Sequence, residues 1–284
     1  MASVFVIIPA YNEEKTVGSV VKAASGSLRL AKFPHEILVV DDGSSDGTAA
    51  VARKAGAKVV SFAKNRGLTA AFKKGIEVAV SRRSDIIVNI DADMQHDPKD
   101  IPKLVGPIKE GKTDVVIGSR FMGEIEGMSG LKYIGNIAFT KLINLFTGER
   151  LTDAQSGFRA FSREVAEKME IQDGYTYTQQ MIVSASNKRF KIIEVPIKAS
   201  KRNGESKLVK NPFSFARRAM SLLVLVVAKY HPLKFFSFCG LMMAILGLGL
   251  GYASPERNVL SSLLISSGIT LLLFGVLFRV MKER

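Results

Sequence analysis

Ile86-Ile87-Val88-Asn89-Ile90-Asp91-Ala92-Asp93-Met94-Gln95-His96-Asp97-Pro98 is the stretch on which the chain turns. An apolar, β-favouring run leads straight into two carboxylates two residues apart, which reads as a buried strand ending in an acidic turn. In an α/β sheet, ligands bind at that end of the strands. An Asp-x-Asp there suits a divalent cation already held by phosphates, because Mg2+ keeps waters and substrate oxygens and takes one or two protein carboxylates, and Mn2+ shares its preference for oxygen. Asp93 is the first choice as direct ligand, Asp91 binds either the metal or a ribose through water, and Gln95 can add an amide oxygen. Alone, such a triplet is more often a helix cap or a solvated turn, so its neighbours decide.

The chain has 284 residues, enough for one α/β domain of about 200 residues plus a smaller unit. Its single cysteine, Cys239, lies in an apolar run, which excludes a disulfide framework and a cysteine metal site. The formal charge of +14 calls for an anionic partner: nucleic acid, a phosphate-rich ligand or an anionic membrane. The basic residues thicken between Lys188 and Lys234, just before the most apolar part of the chain, which favours a membrane surface. No stacking or helix-turn-helix pattern supports direct nucleic-acid binding.

Outward from the acidic stretch, strands and helices alternate. Val4 to Ile8 reads as a strand stopped by Pro9, followed by a helix opened by Asn12 as N-cap. Glu36 to Val40 and Lys58 to Phe62 read as strands, Leu68 to Val80 and Pro98 to Glu110 as helices, and Asp114 to Arg120 as a further strand. This spacing predicts a mainly parallel sheet with polar turns along one rim. Gly127 to Gly148 is helical in pattern, Thr152 to Phe161 is a loop and a strand, and Ile192 to Ile197 is a strand placed near an edge by Pro196.

Phe235 to Ala253 and Val259 to Phe278 are uncharged apolar runs close to the ~20 residues needed to cross a bilayer. The expected organisation is a catalytic domain over 1–210, interfacial helices over 211–232 and a transmembrane hairpin over 233–284, with spans at about 235–253 and 259–280.

Pro9-Ala10-Tyr11-Asn12-Glu13-Glu14, Val40-Asp41-Asp42-Gly43-Ser44-Ser45-Asp46-Gly47-Thr48, Asn65-Arg66-Gly67 and Asp91-Ala92-Asp93 together resemble the family-2 glycosyltransferases of the GT-A type. That resemblance implies a nucleotide-diphosphate sugar donor, with GDP or UDP as nucleotide, a divalent metal on its diphosphate, and inversion at the sugar carbon. Carried over by position, Pro9, Ala10, Tyr11, Glu13, Asp41, Asp42, Asn65, Gly67, Asp91, Ala92 and Asp93 fall to the donor, and Asp91, Asp93 and Gln95 to the metal.

Asp153-Ala154-Gln155-Ser156-Gly157-Phe158-Arg159-Ala160, Glu194-Val195-Pro196 and Arg202-Asn203-Gly204-Glu205-Ser206-Lys207 resemble the polyprenyl-phosphate branch, the dolichol-phosphate mannose and glucose synthases and their bacterial relatives. The branch implies a polyprenyl (dolichyl) phosphate acceptor, Arg202 and Lys207 closing over the departing diphosphate, and Arg120 on the lipid phosphate. Many relatives carry a further Arg and Ser where this chain offers Lys132 and Gly135-Asn136, so Lys132 is the candidate there. Asp153 is either a base or an orienting carboxylate, or else a structural cap. His96 reads as a turn residue rather than a third ligand. Two rivals remain: a synthase that glycosylates a hydroxyl of a glycolipid or polysaccharide, and a non-catalytic nucleotide-sugar-binding scaffold. Processive hydroxyl-glycosylating relatives typically carry Gln-x-x-Arg-Trp, and this chain has no tryptophan.

Lys229 and Lys234 precede the hairpin and Arg279, Lys282 and Arg284 follow it, so the positive-inside rule puts both termini and the catalytic domain on the cytoplasmic side. A cysteine introduced at Ser254 should therefore react with an impermeant thiol reagent from the far side of the membrane. Labelling from the cytoplasmic side alone would reverse the orientation.

Overall fold

A computed structural model describes residues 2–172, 177–200, 224, 228, 231–253 and 258–283. It divides into two compact units, Met1–Leu222 and Leu223–Arg284. The proposed interfacial region over 211–232, and with it most of the boundary between domain and anchor, lies largely outside the described residues, as do Arg202 and Lys207.

The first unit is built on a seven-stranded sheet. Its strands are β1 (Val4–Ala10), β2 (His35–Asp41), β3 (Lys58–Ser61), β4 (Ile86–Asn89), β5 (Val115–Ile125), β6 (Arg159–Ser162) and β7 (Ile192–Ala199), in the spatial order β3-β2-β1-β4-β6-β5-β7. All pairings are parallel except those of β6, which runs antiparallel to both β4 and β5. β7 lies at the edge, where Pro196 is tolerated.

Helices α1 (Val17–Leu30), α2 (Thr48–Lys54), α3 (Leu68–Ser81) and α4 (Ile101–Lys109, after a 3-10 turn at Pro98–Asp100) connect the early strands. They are followed by α5 (Gly130–Thr147), α6 (Arg163–Lys168) and α7 (Tyr177–Asn187). β1 is buried along its whole length, and the core gathers Val6, Ile8, Val20, Val39, Val88, Ile101, Leu104 and Phe158. Such fully buried strands read as unbroken apolar runs rather than alternating ones.

Two local expectations change. β1 does not stop at Pro9 but runs on to Ala10. Ile7 O accepts the Ile90 N–H on the β4 side, whereas Ala10 O accepts the Asp42 N–H on the β2 side. Pro9 therefore turns its missing N–H toward β4 one step past the last β1–β4 pair, Ile7 with Asn89, where a donor is not needed. Asn12 is not a helix cap either. It sits in the left-handed region at φ 54°, and α1 begins five residues later, at Val17.

The second unit is a helical hairpin of α8 (Pro232–Ala253) and α9 (Asn258–Glu283). Both helices are long and apolar enough to cross a membrane, over Pro232–Tyr252 and Asn258–Met281. Glycines let them approach closely: a Cβ on Gly240 would meet Gly268 O at 2.4 Å, and one on Gly247 would meet Ser261 O at 2.9 Å. The Ser261 hydroxyl donates to Gly247 O at 2.7 Å, a side-chain bond of the kind that joins helices in lipid. Leu241, Ile245, Leu248, Leu263, Leu273 and Leu277 stay exposed on the outside. These features fit membrane anchoring.

Two glycines in soluble-domain helices predict opposite outcomes for one substitution. A Cβ on Gly75 of α3 would lie 2.3 Å from Ile7 Cγ2 in the core, whereas Gly106 of α4 has nothing within 4 Å. Gly75→Ala should destabilise by roughly 1–3 kcal/mol through overpacking. Gly106→Ala should stabilise by about 0.5–1 kcal/mol through helix propensity. Denaturant titration of the detergent-solubilised chain reads both, and equal effects would contradict the packing described.

Candidate active site

Loops at the carboxyl ends of β1, β2 and β4 converge on one rim. The segment after β1 is laced to the β2–α2 loop: Asn12 N–H donates to Ser44 Oγ at 2.8 Å, Glu13 N–H to Thr48 Oγ1 at 2.8 Å, and Ser45 N–H to Asn12 Oδ1 at 2.8 Å. Pro9 and Ala10 are buried beneath this lacing, with Tyr11 and Glu13 half-buried beside it. Asp41, nearly inaccessible, accepts Ser44 N–H at 3.1 Å.

Asp42, expected at the donor, braces a loop. Its two oxygens accept Arg66 N–H at 2.7 Å and Gly67 N–H at 2.9 Å, fixing Asn65-Arg66-Gly67 against the rim. Burial pushes its carboxyl up, and the two backbone donors only partly offset this. Gly43 and Gly67 both have positive φ, and a Cβ on Gly43 would fall 2.5 Å from the Lys64 carbonyl carbon, so the two loops touch through backbone.

At the end of β4, Asp91 and Asp93 bracket the buried Ala92. Gln95 N–H donates to Asp93 Oδ1 at 3.0 Å, and Met94 between them has φ 60°. The donor set is oxygen alone. Among the described residues no three His, Cys, Asp or Glu side chains converge. Two carboxylates without softer ligands fit a hard divalent cation whose remaining positions come from substrate oxygens and water.

The acidic loop is tied to the end of β7, where Ser200 N–H donates to Gln95 O at 2.9 Å and Lys198 N–H to Asp100 Oδ2 at 3.0 Å. His96 pairs with Ala199 across the same junction. Its imidazole is buried against the Phe158 ring, with Nδ1 lacking a hydrogen-bond partner among the described residues.

Arg120 lies on β5 past its last pairing with β6. Its Nε donates to Asp153 Oδ2 at 2.7 Å and its Nη2 to Asp153 Oδ1 at 2.9 Å. Asp153 is fully buried and also accepts the backbone N–H groups of Arg120, Gln155 and Ser156. Burial pushes the Asp153 carboxyl up, but the Arg120 guanidinium and these N–H donors outweigh it and hold it below the usual carboxylate range. These donors hold the carboxylate ionised and fixed in plane, and the Gln155 and Ser156 N–H groups make it a cap for the turn it opens as well. Glu194 of β7 steadies the turn, accepting Thr152 N–H at 2.7 Å and Asp153 N–H at 2.8 Å.

The Arg120 side chain is 17% exposed, with three of its five N–H groups left after the Asp153 pair. Lys132 is exposed in the first turn of α5, next to Tyr133, whose ring packs on Phe121 at 5.2 Å between centroids.

Two buried residues outside the predicted set complete the wall of the site. Arg159 donates to the carbonyls of Ser156 and Ala154, at 2.7 and 2.8 Å, and to that of Thr178, stapling the Asp153 loop to α7. Burial lowers its pKa to about 10. The Tyr177 ring stacks on Phe72 at 4.3 Å, and its hydroxyl accepts from Asn89 Nδ2 at 3.1 Å. The signal that could have found them is the arginine and glycine of Ser156-Gly157-Phe158-Arg159, polar or small residues in an otherwise apolar strand entry.

Residues 5–170 match the sequence profile described as Glycosyl transferase family 2. An uncharacterized protein of Methanocaldococcus jannaschii is 40% identical over 200 residues, 69% of this chain and 80% of that protein. The UDP-N-acetylglucosamine–dolichyl-phosphate N-acetylglucosaminyltransferase of Methanococcus voltae is 33% identical over 218 residues, 69% of this chain and 84% of that protein. Glucosyl-3-phosphoglycerate synthase from Mycobacterium tuberculosis, in complex with Mn2+, UDP-glucose and phosphoglyceric acid, superposes with a TM-score of 0.65 at 24% identity over 80% of each chain, a likeness of fold.

Burial lowers the His96 pKa to about 4, with Arg120 lowering it further and Asp153 and Asp100 opposing. The unfolded imidazole titrates near 6.5 and takes up a proton that the folded one refuses, so stability is lost as pH falls from about 6.5 toward about 4. Between pH 7.5 and 5 the His96 share of this loss should be about 2 kcal/mol. Denaturant midpoints of the parent and His96→Phe at the two pH values check it, and an unchanged slope in the variant would contradict it.

Proposed function

Because the chain belongs to glycosyl transferase family 2, matched over residues 5–170, we propose that it transfers one sugar from a nucleotide-diphosphate sugar to a polyprenyl phosphate while anchored in the membrane. The observation that carries this reading is the Arg120–Asp153 pair beside the acidic turn. It offers a fixed cation with donors to spare among the described residues and, in Asp153, a carboxylate that its donors hold ionised. A hydroxyl acceptor needs a general base near its proton, whereas a phosphate monoester brings an anionic oxygen. The site suits the phosphate. The dolichyl phosphate in the name of the Methanococcus relative supports the same acceptor class.

In the proposed reaction Asp41 and the Pro9–Tyr11 segment hold the nucleoside, while Asp42 holds the Asn65–Gly67 loop along the donor. Asp91 and Asp93, with Gln95, would hold a divalent cation, Mg2+ or Mn2+, which when bound neutralises the donor diphosphate as the glycosidic bond breaks. The Arg120 guanidinium presents its remaining N–H groups to the lipid phosphate, and Asp153 keeps its plane fixed. Attack of the phosphate oxygen on the anomeric carbon in line with the departing diphosphate inverts that centre. Arg202 and Lys207, which follow Ser200 in sequence, would meet the diphosphate, and Ser200 itself is bonded to Gln95. The two apolar helices hold the enzyme where its lipid acceptor lies, with the catalytic side cytoplasmic.

Purified protein, polyprenyl phosphate and a panel of GDP- and UDP-sugars with Mg2+ or Mn2+ should yield a polyprenyl-phosphate hexose, detected by mass analysis of the lipid. Transfer to hydroxyl acceptors with none to the lipid phosphate would overturn the assignment. Arg120→Lys should keep the charge but lose the forked contact to Asp153, raising the acceptor KM about tenfold or more while donor binding holds.

A further inference from the structure

The antiparallel register of β4 and β6 pairs Asn89 with Arg159 and, continued by two residues, sets Asp91 opposite Gly157. A side chain at that position would press on Asp91. A Cβ on Gly157 would stand 2.8 Å from Asp91 Oδ2, 3.3 Å from Asp91 Oδ1 and 3.3 Å from the Tyr177 hydroxyl. The acidic carboxylate and a buried phenol thus face the same point from two sides.

Tyr177 is 2% exposed and held by its ring stack on Phe72. Asn89 Nδ2 donates to its hydroxyl at 3.1 Å and to Gly157 O at 2.8 Å, so one amide orients both neighbours of Asp91. With its oxygen accepting from Asn89, the hydroxyl directs its own proton elsewhere.

We propose that Gly157 and the Asn89–Tyr177 pair are positioning residues for Asp91, fixing the carboxylate in the one rotamer that grips the cation and diphosphate of the donor. Gly157 supplies the space and Tyr177 the polar wall. The proposal rests on the reading of Asp91 as a donor-site carboxylate and adds the groups that decide its direction. Partners behind a metal-holding group commonly change its affinity by roughly 10–100-fold.

The test measures Mn2+ binding in the presence of UDP or GDP by electron paramagnetic resonance of free Mn2+, on the full chain in detergent, without turnover. Tyr177→Phe keeps the ring on Phe72 and removes only the hydroxyl, so it preserves the fold where Gly157→Ala risks disturbing it. Both should weaken Mn2+ binding in the nucleotide complex by roughly tenfold or more. Asp91→Ala should weaken it at least as much, and Ser186→Ala, far from the rim on α7, should leave it unchanged. If Asp91→Ala weakens binding and both Tyr177→Phe and Gly157→Ala bind as the parent does, the positioning role is overturned while the donor site stands. If Asp91→Ala itself changes nothing, the reading of the donor site falls first, and the proposal with it.

Discussion

The reversed pairing of β6 is the constraint on which the rim depends. Six strands of this sheet point the same way, and a sheet made of them alone would place the loop before β6 on the opposite edge from the acidic turn. Running β6 backwards brings Thr152 to Phe158 to the carboxyl end of β4, because the start of an antiparallel strand lies beside the end of its neighbour. The register then sets Asn89 against Arg159, Gly157 against Asp91, and the Asp153 turn beside Arg120. The Asp91 and Asp93 carboxylates and the Arg120 guanidinium meet because one strand is inverted.

That meeting requires charge to be buried. Burying an ion pair recovers little net stability, because desolvation offsets most of the Coulomb attraction, yet removing one partner strands the other at a cost of about 3–5 kcal/mol. The Arg120–Asp153 pair is therefore better understood as fixing geometry than as strengthening the fold. Arg159 follows the same logic with carbonyls in place of a carboxylate: three backbone oxygens hold a guanidinium that is itself nearly inaccessible. Together the two arginines turn a loop with no regular hydrogen-bond ladder into a rigid one.

The sheet was legible wherever apolar runs ended in polar turns, as at Ile7, Val39 and Val88, since hydrophobic pattern and turn chemistry there point the same way. The acidic turn, the edge position of β7 and the two apolar helices were visible for the same reason. The inversion of β6 was not, because a four-residue strand between loops carries no mark of direction. Nor were the loop contacts of Asn12 and Asp42, whose partners Ser45, Arg66 and Gly67 lie more than twenty residues away. Short polar side chains bond equally well to near and distant backbone, and composition does not say which. Helices α6 and α7 escaped notice because they are short and mixed in composition, and α7 is buried on nearly every side.

A nucleophile that arrives already charged changes what an active site must supply. Activating a hydroxyl demands a base whose proton affinity matches its task, and such groups are made by leaving a carboxylate or imidazole incompletely solvated and open to substrate. Here the carboxyl paired with Arg120 is saturated by donors, and the buried imidazole of His96 has its pKa lowered to about 4. Neither is prepared to take a proton from an incoming group. The remaining demand is to bring two anions, a lipid phosphate and a sugar diphosphate, close enough to react, and Coulomb repulsion between them grows steeply at short range. An arginine locked in plane, a pair of carboxylates suited to a divalent cation, and a net charge of +14 all answer that demand. On the proposed reading, the site would catalyse by overcoming repulsion rather than by moving protons.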